Sequence, residues 1–310
     1  MNIADNKNNC FLTIVFTDSY QQRLARVCKT ISFFILCLLP AAGLCVENNL
    51  KPRYISLAPS TTEILFALGL DNEIVGVSSY CNYPLQAADK TRVGDFSHPN
   101  LEIISALKPD YIFCTGLEQA PAIERLKALG FRVYCADPAN MEQLLTTIRD
   151  ISFITKKERS GEELTGNIRA AVAAVAVEAS AVPVTERVRV FLEIWHEPLM
   201  TAGRGSFVDE LVGLAGGVNV AHNIPRPYCN FSAEKVVALD PDCIILTYMD
   251  NENALKLLGT RFGWREIKAV KNKRVFNDIN PDLLLRPGPR VAEGVRELYK
   301  RMYCVRQNGG

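Results

Sequence analysis

The chain has 310 residues, of which 35 are basic and 34 acidic, for a formal net charge of +1, and 48% are apolar. That length allows two domains of ordinary size with sizeable cores. The charge balance argues against a nucleic-acid binder, which needs a basic face to neutralise phosphates, though it does not exclude a small local patch.

The first 45 residues differ from the rest. Arg23, Arg26 and Lys29 precede the apolar run ISFFILCLL (31–39), and PAAGLC follows. A basic stretch, a short apolar stretch and then small residues predict a secretory signal over residues 1–45, and so a periplasmic protein. The apolar run is shorter than the roughly 20 residues a membrane span takes. Cleavage after Gly43 places Ala41 and Gly43 at the two small-residue positions, whereas bulky Leu44 disfavours acylation of Cys45 as a lipoprotein anchor. The stretch ahead of Arg23 is long for the front of a signal, as an upstream mis-start of translation would make it. Of ten cysteines, Cys81, Cys114, Cys135, Cys229, Cys243 and Cys304 lie beyond the signal. No two form a CxxC pair, which argues against a zinc site or a thioredoxin-like motif. Six cysteines in an exported protein could pair as disulfides of unreadable connectivity. Cys114, Cys135 and Cys243 fall in strand-like runs, and the expectation for them is small buried hydrophobes.

From residue 52 the pattern alternates. RYISL (53–57) reads as a strand; Ser60 with Glu63 reads as a capping box opening a helix that Gly69 ends. EIVGVS (73–78) is a strand. A helix follows Asn100 and stops at Lys108, ahead of Pro109. YIFCT (111–115), the helix 121–130, FRVYCA (131–136) and the helix 141–155 complete a first lobe, residues 52–156. Residues 157–180 carry Leu164, Ile168, Val172, Val175 and Ala179 at three- and four-residue spacing, which predicts one long connecting helix over 157–181. A second lobe, 186–306, opens with the strand 187–195. It continues with the helix 206–217 capped by Ser206, a helix after Ser232, the strand 243–248, a short helix at 254–259, the strand 273–279 and a closing helix. The fold class is therefore α/β, two Rossmann-like parallel-sheet lobes joined by one long rigid helix.

One segment is written twice. LEIISALKPDYIF (101–113) matches AEKVVALDPDCII (233–245): Glu102 falls on Glu234, Ala106 on Ala238, Leu107 on Leu239, Pro109 on Pro241, Asp110 on Asp242 and Ile112 on Ile244. Two copies suggest paired lobes, not a solenoid, which needs at least three. Glu102 and Glu234 both fall in a first helical turn. The helix dipole favours an acid there by about 0.3–1 kcal/mol, and for one lobe alone that is a sufficient account. Equivalent acids on two lobes also fit two prongs that meet arginines of a two-fold partner.

The whole pattern is familiar. SLAPSTTEILFALG (56–69), GVSSYCNYP (76–84), NLEIISALKPD (100–110), PLMTAG (198–203), SFVDELVGLAGGVN (206–219) and RPGPR (286–290) resemble the helical-backbone periplasmic substrate-binding proteins of ABC importers. The likeness spans about residues 52–303 and is strongest to the cobalamin-binding branch, with iron-siderophore and haem binders as relatives. It implies a ligand held between the lobes: cobalamin or another corrinoid, or alternatively a siderophore or haem. It also implies no resident cofactor, and a partner permease dimer in the inner membrane, with its ATPase, served by a monomeric binding protein. Glu102 and Glu234 match the permease-docking acids of that family. Tyr80, Phe96 and Tyr228 match positions lining the corrin pocket, Trp195 lies one residue off a matching aromatic, and Asp282 and Arg286 match polar ligand contacts. Phe96 and Tyr228 stand where the cobalamin binder has larger rings, so the pocket is expected to be wider, or suited to another corrinoid or to a siderophore. For each ring taken alone, ordinary packing explains it as well, and Arg286 could pair simply with Asp282.

Other classes fit less well. His98, His196 and His222 lie apart in sequence, which argues against a bare-metal site; His196, beside Trp195, is a weak candidate axial ligand for a chelated metal. GRGSF (203–207) is not the G-x-S-x-G elbow, HEP (196–198) lacks the second histidine of H-E-x-x-H, and no P-loop is present, so no catalysis is expected. A secreted enzyme or a sensor domain using the same cleft is the remaining alternative. A stiff connecting helix predicts lobes that close by only a few degrees.

Overall fold

The computed structural model describes residues 51–116, 119–248 and 258–304. The expected signal, and most of the short helix expected at 254–259, lie outside the described residues. In the first lobe β1 (Tyr54–Ser56), β2 (Ile74–Val77), β3 (Thr91–Arg92), β4 (Tyr111–Cys114) and β5 (Val133–Cys135) form one sheet in the order β3-β2-β1-β4-β5. Every neighbouring pair is parallel, the order of a doubly wound nucleotide-binding sheet. Helices α1 (Pro59–Ala67), α2 (Leu101–Leu107), α3 (Ala120–Ala128) and α4 (Met141–Ile154) link and flank the strands.

The connecting helix α5 runs Glu158–Ser180, 23 residues, or about 34 Å. Its buried stripe is Gly161, Thr165, Ile168, Val172, Val175 and Ala179. Expected Leu164 is only half-buried, and smaller Thr165 takes the inward place. The small residues let α4 come close: a Cβ on Gly161 would collide with the Ser152 side chain of α4.

The second lobe has β6 (Arg189–Glu193), β9 (Val218–Asn219), β11 (Cys243–Leu246) and β12 (Val275–Phe276), ordered β12-β11-β6-β9 and parallel throughout. A small antiparallel sheet, β10 (Tyr228–Asn230), β8 (Leu199–Ala202) and β7 (Trp195–His196), is added to it. The strand expected over 187–195 is therefore two: β6 ends at Glu193, and the chain then turns into the β7–β8 hairpin. The helices are α6 (Phe207–Leu214), α7 (Ala233–Leu239), α8 (Lys268–Lys271), α9 (Asp282–Leu285) and α10 (Val291–Tyr299).

The written repeat is also a structural repeat. Asn100 Oδ1 accepts from the Glu102 and Ile103 amides at 3.0 Å each, and Ser232 Oγ accepts from the Lys235 amide at 3.2 Å. The last residue before each proline is left-handed, Lys108 at φ 45° and Asp240 at φ 44°. Proline does steer its neighbour away from the right-handed helix, but into a left-handed cap and not an extended strand. Each Pro-Asp then ties the central strand of its lobe. The Arg53 amide donates to Asp110 Oδ2 at 2.8 Å, and the Arg189 amide to Asp242 Oδ2 at 3.0 Å. In return the Asp110 and Asp242 amides donate to the Arg53 and Arg189 carbonyls, both at 2.8 Å. The conserved spelling of the repeat thus fixes the register of β4 on β1 and of β11 on β6.

Two expectations are corrected. Ser60 and Glu63 do not cap α1: Ala58 is the N-cap, Pro59 opens the helix, and no side chain closes it. All six described cysteines are free thiols, and Cys135 is exposed, whereas Cys114 and Cys243 are buried as expected.

Glu63 has another task. It is 4% exposed, and it accepts from Arg290 Nε at 2.8 Å and Arg290 Nη2 at 2.6 Å. Arg286, 3.8 Å from Glu63, pairs with Asp282 at 2.9 Å and donates to Asn82 Oδ1 at 2.7 Å. Arg290 also lies 3.8 Å from the centre of the Tyr83 ring, a cation–π contact. The first-lobe residues Glu63, Asn82 and Tyr83 are thereby bound to the C-terminal segment 282–290. Beside this, the Met141 amide of α4 donates to Glu210 of α6 at 2.6 Å. One apolar cluster runs from Ile64, Leu65 and Phe113 through Ile168 and Val172 of α5 to Val190, Leu211 and Leu298. The lobes share a core, so α5 is not their only tie. Glu63→Ala would leave two guanidinium groups short of a buried partner, and the expected loss of stability is about 3 kcal/mol, read from the urea midpoint of the purified protein; a change under about 0.5 kcal/mol would mean that the pair is idle.

Candidate functional site

In an open parallel sheet the loops at the carboxyl ends of the strands gather on one edge, and ligands bind there. All five strands of the first lobe obey this. Ala58 to Ser60 follow β1, Tyr80 follows β2, Asp95 to His98 follow β3, Thr115 follows β4, and Ala136 to Ala139 follow β5; all of them line one cavity of about 980 Å³. The second lobe closes it with Gly205 to Phe207, Pro227, Tyr228 and Leu285 to Pro287. The volume lies at the upper end for small-molecule sites.

Of the six sequence-predicted ligand residues, four line this cavity: Tyr80, Phe96, Tyr228 and Arg286. Tyr80 is 58% exposed and Tyr228 45%, so both rings stand open to an incoming surface. Surrounding protein nevertheless pushes the Tyr228 hydroxyl above its ordinary pKa by desolvation, as expected for a ring set in a recess that solvent still reaches. Asp282 reaches the site through Arg286, by the ion pair already described, and does not itself line the cavity. Trp195 also lies off the lining. Its ring sits 4.9 Å from His196 and 6.2 Å from Tyr248, and its Nε1 donates to the Glu197 carbonyl at 2.9 Å. The physical reason is the β7–β8 hairpin, which carries Trp195 and His196 away from the end of β6.

Beneath that cluster Glu193 is fully buried and accepts from Arg261 at 2.6 and 2.9 Å and from the Tyr248 hydroxyl at 3.0 Å. His196, the weak axial candidate, stacks on Tyr248 at 5.2 Å and has a buried Nδ1 with no hydrogen-bond partner among the described residues. The imidazole that does line the cavity is His98. Its side chain is 85% exposed and its Nδ1 lies 3.3 Å from Asp95 Oδ1. That oxygen also accepts from the His98 and Ser97 amides at 2.6 and 2.9 Å, and the His98 amide does most to hold the Asp95 carboxyl below its ordinary pKa. Sequence reasoning missed Asp95, His98 and Asp137 as lining residues, although each lies in the loop that follows a strand, β3 or β5. Among the described residues no group of three or more His, Cys, Asp or Glu side chains could hold a metal ion.

Glu102 and Glu234 stand exposed in the first turns of α2 and α7, and neither makes an ion pair among the described residues. No helix of the described residues is long and apolar enough to cross a membrane.

Residues 55–280 match the family model described as periplasmic binding protein. An uncharacterized ABC transporter substrate-binding lipoprotein, YvrC, of Bacillus subtilis (strain 168) is 32% identical over 81% of this chain and 80% of its own. The periplasmic vitamin B12 binding protein BtuF of Vibrio cholerae superposes with a TM-score of 0.70 at 29% identity, covering 83% of this chain and 98% of that one. The periplasmic heme-binding protein RhuT from Roseiflexus sp. RS-1 does so with a TM-score of 0.72 at 25% identity, over 82% and 98%. With its two parallel sheets, its long connecting helix and a cleft at the strand ends, the chain belongs to the periplasmic binding protein family of ABC importers, a family of carriers and not of enzymes.

Proposed function

We propose that the chain, once exported, acts as a monomeric periplasmic carrier that takes a metal chelate of the corrinoid class into its cavity and hands it to an ABC permease and its ATPase. The observation that carries this reading is the wide cavity walled by Tyr80, Phe96 and Tyr228. Aromatic faces bury much area of a flat macrocycle at little entropic cost. The charges at the cavity's edge also fit. Arg286 is already balanced by Asp282 and Glu63, so it is held as a fixed hydrogen-bond donor and is not a receptor demanding a strongly anionic guest. The likeness to a vitamin B12 binder supports the same class. A haem or iron-siderophore chelate is the second reading. It is favoured by His98 on the lining, an imidazole able to reach a chelated metal, and by the likeness to a heme-binding protein. Lobe boundaries at 52–156 and 186–306 with a helical connector at 157–181, and docking through Glu102 and Glu234, belong to this proposal.

Calorimetry against cyanocobalamin, cobinamide, haem and a ferric siderophore tests the ligand class. Stoichiometric heat with either corrinoid is expected, and Tyr80→Ala or Tyr228→Ala should each weaken it about 2- to 10-fold, since one aromatic stack is worth roughly 0.5–1.5 kcal/mol; heat with haem alone would hand the case to the second reading. The double variant Glu102→Ala, Glu234→Ala should bind as the parent does and lose uptake in cells. If it binds poorly, those acids belong to the fold or the cavity instead. Small-angle scattering should give nearly the same radius of gyration with and without ligand, because the lobes share a core; a large contraction would contradict the limited closure.

A further inference from the structure

Behind the cleft wall, β4 and β5 end side by side on two cysteines that the ligand reading does not use. Cys114 and Cys135 are direct register partners on the two parallel strands, and their sulfurs lie 3.0 Å apart. Neighbouring strands run about 4.8 Å apart, inside the range of Cα separations that a disulfide spans. Cys114 is buried and Cys135 is exposed. Neither lines the cavity, but Thr115 and Ala136, the residues directly after them, both do.

We propose that Cys114 and Cys135 are a redox-active dithiol that closes to a cross-strand disulfide and ties together the roots of two cleft-wall loops. The division of labour follows from the environment. The hydrogen bond from Cys114, with help from nearby Lys127, lowers the Cys135 thiol to about 7, whereas that hydrogen bond and burial push Cys114 up. Cys135 is thus the attacking thiolate and Cys114 the resolving thiol. The oxidant is a disulfide of the glutathione or protein-disulfide class. The Cys135 thiolate attacks one oxidant sulfur and expels the other as a thiolate, leaving a mixed disulfide. Cys114 then gives up its proton and attacks Cys135 Sγ, releasing the second oxidant sulfur as a thiol. Two thiols and one disulfide become one disulfide and two thiols, and two electrons pass to the oxidant. An oxidising compartment favours the closed form.

The tie would act where the wall is already cross-linked: the Gly116 amide donates to Asp137 Oδ2 at 2.8 Å, between the same two loops. Closing the bond would fix their spacing independently of which ligand the cavity takes.

Peptide mapping of the purified protein, reduced and then treated with oxidised glutathione, tests this without any ligand. The expected product is a Cys114–Cys135 cross-linked peptide, reversed by dithiothreitol, with a melting temperature several degrees above that of the reduced form. Before oxidation, Cys135 should be alkylated at pH 7 faster than Cys114, which is buried and whose thiol is pushed up. Cys114→Ala should halt at a stable Cys135–glutathione adduct. Should that variant fail to fold, the parent protein still decides the matter. Recovery of both thiols free after oxidation, a glutathione adduct on Cys135 that persists in the parent, or pairing of Cys135 with Cys229 or Cys304 would overturn the proposal.

Discussion

The Glu63 carboxylate is the point on which the two halves of this molecule are hung. It lies almost wholly out of water and is held bidentately by Arg290, with Arg286 close by. Taking such charges out of water costs several kcal/mol per ion, and the arrangement is held because both Glu63 oxygens accept from Arg290. Asp282 balances the second arginine, and Tyr83 covers the first. The set therefore contributes less net stability than geometry. It fixes where the C-terminal segment 282–290 meets the first lobe, and that segment carries Leu285, Arg286 and Pro287 into the cavity.

Duplication explains the frame, and departures from it explain the cleft. Each sheet receives a strand directly from a repeat helix, α2 into β4 and α7 into β11, and both anchor their central strand by the same reciprocal Asp–Arg pair. The first lobe then leaves its strand ends open, so five consecutive loops face the cavity. The second lobe caps its strand ends with the sheet β10-β8-β7. As a result it offers the flank of that small sheet, Pro227 and Tyr228, together with the start of α6. The first-lobe wall mixes Asp95, His98 and Asp137 with the rings of Tyr80 and Phe96, and the second-lobe wall sets Arg286 among Phe207, Tyr228 and Leu285.

Much of this was legible in the sequence. Alternation of strand and helix, the caps Asn100, Ser206 and Ser232, and the uninterrupted periodicity of 157–180 depend on local physics, and each stands where expected within a residue or two. The failures are all long-range. Ser60 and Glu63 spell a capping box, yet Pro59 begins the helix and Glu63 is claimed by an arginine 227 residues away. The strand expected over 187–195 runs on to Trp195 because nothing local marks the turn into a hairpin, in which Trp195 and His196 pair with Met200 and Leu199. Cys135 looked like a buried apolar residue because β5 is the edge strand of its sheet, and edge position is a property of topology. Tyr80, Phe96, Tyr228 and Arg286 were chosen by resemblance, and the cavity unites them; the same resemblance placed Trp195 at the cleft, where the hairpin does not leave it.

A shared core has a mechanical consequence for the proposed carrier. Lobes joined only by a hinge can release a ligand by swinging apart spontaneously. Here, opening the cavity would expose part of a continuous apolar cluster and pull Glu63 from Arg290. Exposed apolar surface costs about 25 cal/mol per Å², and a separated buried ion pair costs several kcal/mol more. Such a molecule holds its guest in a preformed site and does not open far unaided. In the docking proposed above, Glu102 and Glu234, at equivalent helix starts, would give the permease one carboxylate on each lobe, and duplication supplies them without further design.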